Sequence, residues 1–185
     1  MAALRILVCA SEVVPFAKTG GLADVAGALP QALAALGHDA RICLPYYREV
    51  RESGAKVRLL VKDLPVPLGG KTVLVDLLHS DDIAGVPTYF IRSDAYFDRN
   101  SLYGQPDDPQ RFTLFCRAVL EFLRQDAWSP EVIHCNDWQT GLIPTYLKTI
   151  YADDPKLGKI GTLFTIHNLA YQGLCDVSAL DDAGL

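Results

Sequence analysis

Short apolar runs alternate with helical patterns along the chain. Leu4 to Ala10 is a continuous apolar run, the pattern of a parallel strand covered on both faces, so it is expected at the centre of a sheet. Leu22 to Leu36 reads as a helix, with Asp24 in its first turn, where a carboxylate favours the dipole, and Gly37 just past its end. Pro30 falls inside that pattern and removes one backbone hydrogen bond, which predicts a kink or two helical segments meeting there. Asp39 to Leu44, closed by Pro45, is a second strand and completes a βαβ unit with a right-handed crossover.

From Val57 to Ile91 the runs become shorter and β-like: Arg58 to Val66, Val73 to Leu78 and Thr88 to Ile91, with Gly69-Gly70 and Gly85 between them. They predict hairpin-like turns in an insertion whose last run returns to the main sheet. Ser93 to Asp108 is polar, aromatic and rich in turn residues, and reads as a long loop of the kind that often carries function. Phe112, Phe115, Cys116, Val119, Leu120 and Leu123 share one helical face, predicting a helix from about Pro109 to Gln125. Val132 to Asn136 is a further strand, Trp138 to Ile150 a helix, and Ile160 to Ile166 a strand. Leu174 to Leu185 shows no element strong enough to close the domain, and the chain stops soon after a strand, which suggests a piece of a longer protein. The alternation predicts an α/β fold: a doubly wound, Rossmann-like parallel sheet with a β-rich insertion.

Half of the 185 residues are hydrophobic, enough to bury one sizeable core. A net charge of -5 with no basic block argues against nucleic acid or an anionic membrane surface as the main partner. No apolar run approaches the roughly 20 residues needed to span a bilayer. Met1 to Ala10 has a single Arg inside the apolar run, and reads as a first strand rather than a signal peptide. The five cysteines are odd in number, show no CxxC pair and lie mostly in apolar contexts, which fits a reducing cytoplasm better than a disulfide framework.

Ligands of an open parallel sheet bind beyond the carboxyl ends of its strands. Three suggestive stretches fall at such ends: Lys18-Thr19-Gly20-Gly21-Leu22, His134 to Gln139, and Ile166 to Gly173. Adjacent glycines let a backbone approach a ligand closely, the helix that follows offers unpaired N–H groups to an anion, and Lys18 adds a charge. The spacing is neither the GxxxxGK[ST] nor the GxGxxG motif, so on motif chemistry alone Gly20 and Gly21 are equally a phosphate cradle or a plain turn. Asp137 is on local grounds equally a helix N-cap, and His167 equally a hydrogen-bonded structural histidine. His38 and His79 lack a supporting constellation and read as surface or turn residues, and Trp138 as a packing residue shaping the cleft wall. HExxH, cysteine–histidine zinc spacing, GxSxG and a metal-holding Asp-x-Asp pair are missing, so the expected site is metal-free, with Lys, His and backbone amides offsetting phosphate charge.

SEVVPFAKTGGLADVAGALP, HCNDWQTGL and TIHNLAYQG, in that order, resemble the ADP-glucose type of bacterial glycogen synthases and plant starch synthases over nearly the whole chain. The resemblance implies the N-terminal, acceptor-side half of a two-domain GT-B glycosyltransferase. It implies transfer of glucose from ADP-glucose to the non-reducing end of an α-1,4-glucan with retention, without a cofactor. On that analogy Lys18, Gly20 and Gly21 meet the donor phosphates and sugar, with Asp24 carried along as a further binding residue. His167 and Asn168 lie against the transferred glucose, and Asp137 and Tyr103 contact sugar, Asp137 being grouped with His167 as catalytic. The implied partner is a C-terminal domain carrying most of the nucleotide pocket. Two other readings stay open: a non-catalytic glucan-binding or regulatory module, and a related transferase using UDP-glucose.

Overall fold

Leu7, Val8 and Cys9 are fully buried in the first strand, Arg5–Cys9 (β1), which lies between two parallel neighbours. The computed structural model describes residues 2–185. After β1 come Leu22–Ala35 (α1), Asp39–Pro45 (β2), Arg48–Glu52 (α2), Arg58–Leu68 (β3), Lys71–Ile83 (β4) and Val86–Arg92 (β5). The rest is Asp94–Phe97 (α3), Asp108–Gln125 (α4), Val132–Asn136 (β6), Leu142–Lys148 (α5), Gly161–Thr165 (β7) and Ala179–Ala183 (α6). They form one seven-stranded sheet in the order β3-β4-β5-β2-β1-β6-β7. β5, β2, β1, β6 and β7 are parallel, and β3 and β4 extend the sheet antiparallel beyond β5.

The insertion is therefore a hairpin extension of the main sheet, with its last strand in the parallel part, as the pattern predicts. Leu68 pairs with Lys71 across Gly69-Gly70, and Ile83 with Val86 across Ala84-Gly85. All four linking residues have positive φ, the two-residue turn geometry that matches strand twist. From β1 the chain winds to β2 on one side, and later returns to β6 on the other. Right-handed crossovers in opposite directions put α1 on one face and α5 on the other, with α4 packed beside α5.

Several elements differ from the sequence expectation. α1 is one helix through Pro30, not two segments, and Pro30 is buried in it. Pro30 leaves the Ala26 carbonyl without its helical donor, and at the next carbonyl, Gly27, Gln31 Nε2 donates at 2.8 Å. The expected helix Trp138 to Ile150 divides into a 3-10 turn, Trp138–Thr140, and α5. Pro144 has no N–H to offer the Thr140 carbonyl, which removes one bond that would join the two segments. His79 is a correction too: it is a buried residue of β4, its ring against Tyr89, and neither a surface nor a turn residue. His38 is half-buried just after the Leu36-Gly37 turn, where Nδ1 accepts the Leu4 N–H at 3.1 Å. The 93–108 stretch is irregular except for α3, which buries Phe97.

The tail folds back as α6. Tyr146 Oη donates to the Ala183 carbonyl at 3.0 Å, and the Gly69 N–H to that of Asp182 at 2.9 Å. Four cysteines are buried and Cys175 is exposed, all as free thiols. Among the described residues no helix is long and apolar enough to cross a membrane.

At Gly27, α1 presses on the loop after β1: a Cβ there would stand 2.7 Å from the Val14 carbonyl oxygen. Gly27→Ala is expected to destabilise the fold by about 1–3 kcal/mol, read as a lowered urea midpoint with unchanged slope.

Burial is the main cause that holds the pKa of both His79 and His134 below 6.5. Around His79, Asp81 opposes that shift, and Arg58 and Arg41 add to it. The native rings stay neutral where the unfolded chain takes up protons, so this stability is complete above the unfolded value of 6.5 and declines as pH falls below it. Thermal melts between about pH 7.5 and about pH 5.5 should show a falling midpoint, and His79→Gln should lessen the fall. A midpoint flat across that interval would contradict the assignment.

Candidate active site

The parallel strands β2, β1, β6 and β7 all end on one rim, at Pro45, Cys9, Asn136 and Thr165. Because the winding direction reverses between β1 and β6, a crevice opens there, where open α/β sheets take their ligands. Both groups of predicted site residues stand at that crevice.

The first group is organised around Glu12, which is only 4% exposed. Its carboxylate accepts the Thr19 N–H, the Thr19 hydroxyl at 2.8 Å, the Gly20 N–H at 2.9 Å and the Tyr103 hydroxyl at 2.7 Å. The loop's N–H groups at Thr19 and Gly20 are thus already bonded to Glu12. Gly20 and Gly21 are exposed, and a Cβ on either would meet nothing within 4 Å. Lys18 Nζ lies 2.7 and 2.8 Å from the two oxygens of Asp24. Both side chains are about half exposed (51% and 58%), and a pair in water contributes little, so Lys18 can exchange Asp24 for another anion at small cost.

Tyr103 joins this group from the segment between α3 and α4. Its hydroxyl sits between Glu12 and Ser11, 2.7 Å from Ser11 Oγ, and burial pushes its pKa well up. The hydroxyl is therefore directed inward, onto the loop's support. The segment carrying it is stapled by Arg111, fully buried, which donates to the carbonyls of Tyr96 (2.6 Å) and Leu102 (3.1 Å) and pairs with Asp108.

The second group is organised around Asn136, 1% exposed at the end of β6. Its Nδ2 donates to the carbonyls of Cys9 (3.0 Å) and His134 (3.2 Å), which turns Oδ1 toward His167 Nε2 at 2.9 Å. Oδ1 can only accept, so Nε2 carries the proton and Nδ1 of the neutral ring is the basic nitrogen. Asp137 stands at the start of the 3-10 turn but makes no side-chain capping bond, so the N-cap alternative falls. Its Oδ1 accepts the His167 N–H at 2.7 Å, and its own N–H donates to Thr165 at 2.9 Å. Its φ of 56° is unfavourable for a residue with a Cβ, a strain that clusters at functional sites. His134 Nε2 meets Thr165 Oγ1 at 2.8 Å behind this pair. Asn168 is exposed and accepts the Ala170 N–H at 3.0 Å, forming the turn after His167.

The two groups meet where Asn136 bonds the end of β1: Cys9 is the carbonyl it reaches, and Glu12 follows three residues on. Lys18, Gly20, Gly21, Asp24 and Tyr103 belong to the segments built on Glu12 and α1, and Asp137, His167 and Asn168 to those built on Asn136. Beside them a hollow of about 470 Å³ is walled by Trp138, Gln105, Pro106 and Gly173. Trp138 is the wall residue expected, edge-on to Phe112 with centroids 5.1 Å apart. At Gly173 a Cβ would fall 2.4 Å from the Trp138 ring. Sequence reading missed Glu12, Asn136 and Arg111. A carboxylate in the apolar run just ahead of a Lys-Thr-Gly-Gly loop was the available signal for Glu12. Asn136 lies in the suggestive stretch His134 to Gln139 without standing out in it, and for Arg111 nothing in the local pattern distinguishes it from an ordinary polar residue.

Residues 5–185 match the family described as starch synthase catalytic domain. A glycogen synthase of Geotalea daltonii is 48% identical over 98% of this chain, and one of Moorella thermoacetica 47% identical over 92%. The solved catalytic domain of starch synthase IV from Arabidopsis thaliana, bound to ADP and acarbose, superposes on all of this chain with a TM-score of 0.92 at 34% identity. The chain spans 38% of the length of that structure and of the Geotalea protein. A match over almost every residue, with the same fold at one-third identity, leaves one conclusion: this chain belongs to the starch synthase catalytic domain family.

Proposed function

We propose that this chain forms the acceptor-side half of a glycogen (starch) synthase that transfers glucose from ADP-glucose to the non-reducing end of an α-1,4-glucan with retention. The observation that carries the reading is the junction at Asn136, where a histidine of fixed tautomer and a lysine–glycine loop share the rim of one sheet at its reversal point. The Arabidopsis relative, with its ADP and acarbose, supports a nucleotide and a sugar chain as the ligand classes.

In this mechanism Lys18 leaves Asp24 for the donor diphosphate, and the open face above Gly20 and Gly21 lets the phosphates come close to the backbone. Charge that builds on the departing diphosphate is met by the ammonium and by the N-terminal end of α1. His167, its Nε2–H spent on Asn136, keeps Nδ1 free to accept from a sugar hydroxyl. Asp137 fixes the backbone of His167, and so holds the imidazole against the reacting sugar with little freedom to move. Tyr103 serves by bracing Glu12 beneath the loop. The other wall of the cleft, with most of the nucleotide pocket, falls to the part of the family's length that this chain does not span.

The 185-residue chain alone is accordingly expected to give no glucan extension from labelled ADP-glucose, and measurable extension would refute the division of labour. The positive test is a chimera in which this chain replaces the matching part of the Geotalea glycogen synthase. The chimera should transfer glucose from ADP-glucose, with kcat/KM lowered about 10²-fold by Lys18→Ala and about 10²–10³-fold by His167→Ala. A chimera indifferent to both changes, whose maltooligosaccharide binding also survives them, would instead favour a glucan-binding module.

A further inference from the structure

Among the described residues Arg117 is a buried cation with no carboxylate partner. It lies on α4 at 8% exposure, and among the described residues no acceptor reaches its Nε or Nη1 and no carboxylate pairs with it. Its guanidinium is held between two rings, 4.9 Å from the centroid of Tyr146 and 5.3 Å from that of Tyr151. The residue placed to neutralise it, Glu121 one turn later, is engaged elsewhere. One oxygen accepts the Tyr151 hydroxyl at 2.6 Å, and the other pairs with Arg124 at 2.8 Å. The remaining carboxylate nearby, Asp154, accepts the N–H groups of Lys156 and Leu157, both at 2.9 Å. A guanidinium left buried without an acceptor costs free energy that a bound anion would recover.

Arg117 lines a hollow of about 520 Å³ together with Arg124, Thr72, Tyr151 and the two carboxylates Glu121 and Asp154, which already accept the contacts just given. The hollow is separate from the candidate active site. Phe112, which meets Trp138 at the rim, precedes Arg117 and Arg124 by roughly 8 and 18 Å of helix at 1.5 Å per residue. We propose that this hollow is a second ligand site, taking a small molecule through a phosphate or carboxylate group seated on Arg117. A planar guanidinium flanked by aromatic faces keeps its N–H edge in line for an oxyanion, which a lysine there would not do.

The test is titration of the 185-residue chain with inorganic phosphate, a hexose phosphate and succinate in turn, against sodium chloride of equal ionic strength. Calorimetry should show saturable binding of at least one oxyanion, and the relative affinities tell phosphate from carboxylate. Arg117→Gln should weaken it by at least about 10-fold. In the unaltered protein, NMR amide signals of Arg117, Arg124 and Tyr151 should move on titration, a readout that stands even if Arg117→Gln fails to fold. Absence of saturable binding, amide shifts confined to the Lys18 loop, or affinity unchanged in a folded Arg117→Gln variant would each overturn the proposal.

Discussion

The carboxamide of Asn136 is the contact on which the candidate site depends. It is buried, so each of its polar atoms must find a partner, and the partners come from three places: β1, β6 and the segment after β7. An unpaired buried amide costs about 1–3 kcal/mol, which ties the position of His167 to the pairing of β1 with β6. The same constraint selects the ring tautomer, because two carbonyls claim the amide nitrogen and leave only the oxygen for the imidazole. Sheet register and side-chain chemistry are here a single requirement.

Glu12 does the corresponding work for the glycine loop. Thr19, Gly20 and Tyr103 converge on it from parts of the chain more than 80 residues apart, since Tyr103 lies 91 positions from Glu12. The loop is held at its base by a buried carboxylate, while its outer side is left open. Lys18 faces a different carboxylate, Asp24, that is half exposed and easily displaced. One acidic residue is structural and the other replaceable, and the difference lies in how much water each one sees.

Much of the fold is legible along the chain because its signals are local. The largely apolar run before the first loop, the helical face from Phe112 to Leu123 and the glycines of the hairpin turns each reflect the backbone period or a φ that only certain residues adopt easily. Local reading fails where a tertiary contact outweighs propensity. α6 is too short to hold itself together, and stands because Tyr146 and Gly69 take up its end. His79 shows no mark in the sequence of being buried, since the antiparallel partner that covers it is a strand of its own hairpin extension.

The amino-acid sequence by itself determined the α/β alternation, the strand-end placement of the Lys18, Asp137 and His167 stretches, and the motifs of the family. Those follow from spacing along the backbone. Tertiary structure alone decided that Glu12 and Asn136 hold these stretches together, that Tyr103 turns inward, and that Arg117 is left without a counter-charge. Partners so distant in the chain become neighbours only when the sheet closes, and burial then sets the strength of each interaction.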